Sequence, residues 1–183
     1  MVQYPEPVIV KIEGYNINLC PITESDDAIS EYTKWFNDNT MVKYIREHDF
    51  IVPKHYIKDW VHKNSDNMLN IVLANSSDII GLCKIEDLGG RSYELSIIIG
   101  EVGQQQKGYG TETLTLLIDW LFNSFNAHRI QLNAVEDNKK ALNCYTKSGF
   151  KKYGIEHSRI FYDGSYHDNI LLEITEEMYM GDK

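Results

Sequence analysis

Leu95-Ser96-Ile97-Ile98-Ile99-Gly100-Glu101-Val102-Gly103-Gln104-Gln105-Gln106-Lys107-Gly108-Tyr109-Gly110-Thr111 carries an apolar strand-like run into a segment whose apolar residues recur at helical spacing. Gly108 and Gly110, one residue apart, let the backbone pass close to a ligand, because no Cβ intervenes and positive φ is tolerated. The free N–H groups of a first helical turn, aided by the helix dipole, favour an anion there. A glycine pair is also the ordinary punctuation of a tight strand-to-helix turn, so the surrounding chain must decide between the two.

Upstream, residues 69–74, 79–86 and 92–100 read as strands separated by turns at Asn75-Ser76-Ser77-Asp78 and Gly89-Gly90, which is an antiparallel meander. Downstream, Leu114, Leu117, Ile118, Leu121 and Phe125 form one helical stripe. A strand over 129–135, a short helix over 138–147 and a hairpin of 150–162 with 166–174, turned by Asp163-Gly164, complete that half. The first half opens with 8–11 and 17–20 around Gly14-Tyr15-Asn16, a first hairpin or one interrupted strand. Capping residues Thr23-Glu24-Ser25-Asp26 then precede a helix with Ile29, Tyr32, Trp35 and Phe36, and Pro53 opens a helix with Tyr56, Ile57, Trp60 and Val61 on one face. The segments mix strands and helices without repeats or linkers, so the fold class expected is α+β, one domain over 1–183.

Composition excludes several functions. A net charge of −9, from 18 basic and 27 acidic side chains, argues against nucleic acid as partner. No apolar stretch approaches the roughly 20 residues of a membrane span, and no signal-peptide pattern precedes the first strand, so a cytoplasmic location is expected. Cys20, Cys83 and Cys144 are scattered and the six histidines lack ligand spacing, so neither disulfide framework nor metal site is expected.

Two segments together resemble the GCN5-related N-acetyltransferase (GNAT) family. Gln105-Gln106-Lys107-Gly108-Tyr109-Gly110 fits its Q/R-x-x-G-x-G/A signature after a strand and before a helix. Asn138-Lys139-Lys140-Ala141-Leu142-Asn143-Cys144-Tyr145-Thr146-Lys147-Ser148-Gly149-Phe150 fits its N-x-x-A-x-x-x-Y-x-K-x-G-F pattern. The likeness extends over about residues 21–174. Ile22-Thr23-Glu24-Ser25-Asp26 followed by Trp35-Phe36-Asn37-Asp38 is typical of the branch with ribosomal-protein N-terminal, spermidine and nucleotide-amino-sugar acetyltransferases.

The resemblance implies a central, mostly antiparallel twisted sheet that splays to admit acetyl-CoA as donor. Gln105, Gln106, Lys107, Gly108, Tyr109, Gly110 and Thr111 would hold the pyrophosphate through main-chain N–H groups. The main chain of Ile97, Ile98 and Ile99 would pair with the pantetheine, and Asn138 would cap its helix and reach the cofactor. Tyr145 suits a general acid, since a phenol of pKa about 10 can protonate a thiolate whose conjugate acid lies near 8.5. The acceptor would be a primary amine of a small molecule or peptide, which must lose a proton before attacking. Glu94, on the strand face with Ser96 and Ile98, is the candidate base, and Glu101 a weaker one. Cys144 reads as packing. A non-catalytic acetyl-CoA-binding module is the rival reading, and an exposed sheet edge offers a surface for a homodimer.

Overall fold

Ser25 shows how locally the first helix is specified. Its hydroxyl accepts the Ala28 N–H at 3.3 Å, Asp26 and Asp27 stand in the first turn, and Lys34 in the last. The resulting helix, α1 (Asp26–Trp35), buries Ala28, Ile29, Tyr32 and Trp35. The computed structural model describes residues 11–44 and 51–181; the expected strand at 8–11 falls mostly outside them.

In chain order the other elements are β1 (Ile12–Glu13), β2 (Ile17–Pro21), α2 (Asn39–Val42), α3 (Lys54–Lys63), β3 (Met68–Leu73), β4 (Ile79–Gly89), β5 (Ser92–Ile99), α4 (Tyr109–Ser124), β6 (Arg129–Val135), α5 (Lys139–Lys147), β7 (Lys151–Tyr162), β8 (Ser165–Thr175) and α6 (Glu176–Gly181). Among the described residues eight strands form one sheet in the order β1-β2-β3-β4-β5-β6-β8-β7, antiparallel except for the β5·β6 pair. The mixed α+β reading and the mostly antiparallel sheet are thus what the chain forms. Two details differ from expectation. Tyr56 is solvent-exposed, because the buried face of α3, which Pro53 opens as its N-cap, runs through Ile57 and Val61. The terminal helix α6 has no counterpart in the sequence reading.

Alternation along β5 sorts its residues between two cores. Leu95, Ile97 and Ile99 join the larger cluster with Leu114, Leu117 and Ile118 of α4, while Ile98 packs on the smaller cluster with Ile29, Tyr32, Trp35, Ile57 and Val61. The sheet therefore has α4 and α5 on one face and α1 and α3 on the other. Trp35 lies directly over Gly100, where any side chain would collide with its ring, so α1 presses on the point at which β5 leaves the sheet.

Candidate active site

β5 and β6 share only three rungs, Ser92 with Arg129, Tyr93 with Ile130 and Glu94 with Gln131. Beyond Glu94 each strand keeps its other neighbour, β5 pairing with β4 as far as Ile99 and β6 with β8 as far as Val135. The two parallel strands thus part along their C-terminal halves, leaving one main-chain edge of each without a strand partner. Gly100 N donates to Ile80 O, so by alternation Ile98 turns its main-chain groups toward β4, and Ile97 and Ile99 turn theirs toward the parted side.

Glu94 stands at the apex of the split. Its Oε2 accepts Gln131 Nε2 at 2.7 Å, and its Oε1 accepts Asn133 Nδ2 at 3.3 Å. Gln131 and Asn133 escaped the sequence reading. Their spacing of two along β6 places both on one face, but which face meets Glu94 depends on a register between strands that no local pattern carries.

The glycine loop lies at the open end of the split. A 3-10 turn over Val102–Gln104 follows β5, and Gln105 then reaches back so that its Nε2 donates to Ile99 O at 3.0 Å. Gln105 therefore braces the loop with its side chain, leaving only its main chain for a ligand. Gln106 and Gly108 have φ of 61° and 90°. At Gly108 an added Cβ would meet nothing within 4 Å, so glycine is required there by backbone conformation, and the space over the loop is open. Among the described residues no side chain caps the first turn of α4. Its N–H groups are thus available to an anion, which fits a pyrophosphate.

Gly110 has a different cause. A Cβ there would stand 3.3 Å from Cys144 Sγ, which itself lies 3.5 Å from Thr111 Oγ1. Cys144 is the packing residue between α5 and the start of α4, and burial raises its thiol pKa. At the other side of this turn, Glu112 accepts the N–H groups of Asn16 and Ile17 and the Asn16 amide. Burial pushes the Glu112 carboxyl up, but these donors outweigh it and hold the group below its ordinary value. The turn is thereby pinned to the β1–β2 connection.

Asn138 caps α5, its Oδ1 accepting Ala141 N at 3.2 Å. Tyr145, two turns on, is buried in the α4 side of the core with Ile97, Ile99, Leu132 and Ala134. Among the described residues its hydroxyl has no hydrogen-bond partner, and burial, with a smaller push from the Cys144 thiol, raises it well above the ordinary phenol. The phenol keeps its proton throughout the neutral range. Glu101, the weaker candidate, lies 4.0 Å from Lys34 on α1.

Comparison with known proteins agrees with this architecture. The spermidine N(1)-acetyltransferase of Vibrio cholerae serotype O1 is 28% identical over 122 residues, covering 66% of this chain and 69% of that protein. The ribosomal protein uS5-alanine N-acetyltransferase of Escherichia coli is 26% identical over 103 residues, 55% of this chain, and the match spans only 53% of its length. The crystal structure of spermidine N-acetyltransferase from Vibrio cholerae in complex with CoA and spermine superposes with a TM-score of 0.78 at 23% identity, over 90% of this chain and 98% of that one. The family model described as acetyltransferase (GNAT) domain matches residues 16–151 and takes in the split strands, the glycine loop and the whole of α5, so the chain belongs to the GNAT acetyltransferases and is an acyltransferase enzyme.

Proposed function

We propose that the protein transfers acetyl from acetyl-CoA to a primary amine of a small molecule or a protein N-terminus by direct attack in a ternary complex. The observation that carries this is the end of the β5·β6 ladder at Glu94 and Gln131, with an uncapped helix start at the open end of the split. In this reading the main chain of Gln105, Gln106, Lys107, Gly108, Tyr109, Gly110 and Thr111 holds the pyrophosphate. Ile97 offers its N–H and C=O and Ile99 its N–H to the pantetheine, the Ile99 carbonyl being held by Gln105, Ile98 fixes the spacing between them, and Asn138 reaches the cofactor from the start of α5. The donor supplies a thioester carbonyl, which needs little activation for attack by a neutral amine.

Tyr145 gives its proton to the departing sulfur. A raised phenol would be a weaker acid toward a thiolate in water, but a thiolate formed in the same dry space is raised too. Cys83, fully buried in this protein, has its thiol pushed up to about 12 by desolvation. Burial therefore moves donor and acceptor of the proton in the same direction. Glu94, held by Gln131 and Asn133, receives the proton of the incoming ammonium directly or through water. Thiol release from acetyl-CoA across a panel of primary amines tests the reading: amine-dependent release is expected, and measured CoA binding with no release for any amine would contradict it.

A further inference from the structure

A polar and aromatic group gathers where β6 ends, next to the Asn138 cap of α5. Asp137, the residue before the Asn138 cap, accepts the Tyr162 hydroxyl on Oδ2 at 2.7 Å, and His167 Nδ1 lies 3.1 Å from the same oxygen. The rings of Tyr162 and His167 stack at 3.9 Å and 15°, and Tyr44 meets Tyr162 edge-on at 5.6 Å. His167 Nε2 lies 2.8 Å from Ser165 Oγ, so with Nδ1–H given to Asp137 the ring accepts the serine hydroxyl. The end of α2, the end of β6 and the β7–β8 hairpin are joined at this one place.

Two features give the group a ligand preference. Both contacts to Asp137 fall on Oδ2, so among the described residues Oδ1 has no side-chain donor, and the residue is exposed and open to an incoming one. A primary ammonium is already present at the rim, because Lys43 Nζ lies 4.6 Å from the centroid of the Tyr44 ring. Tyr44 first, then Asp163 and Asp137, raise that lysine above its ordinary value. After Tyr162 and His167, Lys139 also acts on Asp137, and it is exposed.

We propose that Asp137 Oδ1 and the ring of Tyr44 form a subsite for a second, non-reacting ammonium of the acceptor, which displaces Lys43 on binding. This rests on the reading of the protein as an amine acetyltransferase. The reacting amine must be neutral to attack, whereas the distal amine of a diamine or polyamine, with a pKa near 10.4, stays charged at neutral pH. A carboxylate oxygen and a ring face attract such a charge, and a monoamine has nothing to place there.

Calorimetric titration of the CoA-bound protein with 1,4-diaminobutane and 1-aminobutane tests the subsite. The diamine should bind about tenfold tighter, as one charge-assisted contact permits. In Asp137→Asn and in Tyr44→Leu that ratio should shrink toward one, and in Lys43→Met it should grow. A ratio unchanged in both Asp137→Asn and Tyr44→Leu, or a weaker diamine in Lys43→Met, would overturn the subsite. Acetyl transfer to the same two amines separates this from the reading beneath it. Transfer with an unaltered ratio removes the subsite alone, whereas a variant-sensitive binding ratio without transfer supports the subsite and removes the acceptor reading.

Discussion

Gln131 Nε2 donates to Glu94 Oε2 at 2.7 Å on the last rung that joins β5 to β6, so the carboxylate proposed as base is fixed at the point where the strands part. Glu94→Gln would set an amide against two amide donors and remove the proton acceptor. Turnover is expected to fall about 10- to 100-fold, with the acidic limb of the pH–rate profile displaced and acetyl-CoA binding changed far less. A profile superimposable on that of the unmodified enzyme would remove Glu94 as base.

Gly108 and Gly110 should separate on substitution. Gly108→Ala meets no neighbour but must hold φ near 90°, which costs about 1 kcal/mol and disturbs the loop that receives the anion. CoA affinity should fall about tenfold. Gly110→Ala meets Cys144 Sγ at 3.3 Å, and its loss should be recovered in the Gly110→Ala, Cys144→Ala pair. Additive losses in a double-mutant cycle on unfolding free energy would show that the contact does not explain this glycine.

Tyr32 links stability to pH. Its hydroxyl donates to the buried Asn70 Oδ1 at 2.6 Å, and burial pushes the phenol up to about 12, against smaller opposing effects from Asn70 and Thr23. In the unfolded chain the group ionises near 10. Stability from this residue is therefore complete below pH ~10 and declines as pH rises toward 12, since only the folded state retains the proton. Tyr32→Phe should cost about 1–3 kcal/mol at pH 7, by leaving Asn70 Oδ1 without its donor, and should flatten the alkaline decline. Denaturant melts at pH 7 and above pH 10 check both; an unchanged midpoint at pH 7 would contradict the first.

Much of this fold was readable because its signals are local. The strand at 129–135, the α4 stripe through Leu114, Leu117, Ile118 and Leu121, and the Asn138 cap each depend on residues within a few positions, and each has the expected bounds or burial. The α6 helix is short and opens on Glu176-Glu177, and what anchors it is non-local, Tyr179 being buried and stacked against Phe122 of α4. At the site, the glycine loop and the Tyr145 helix are contiguous motifs and could be located without coordinates. The partners of Glu94 are some 40 residues away, and the Asp137–His167 contact joins a strand end to a hairpin 30 residues on. Such pairings follow from register and topology, which composition and periodicity do not encode.

Tyr145 is the residue on which the proposed chemistry turns, and its hydroxyl, having no partner among the described residues, can be removed with little cost to packing. Single-turnover acetyl transfer by Tyr145→Phe, with acetyl-CoA affinity measured on the same protein, is therefore the most direct test. A fall of about 10²-fold or more in the transfer rate, with affinity within about twofold, is expected of a general acid. An undiminished rate with a verified amine acceptor would contradict that role.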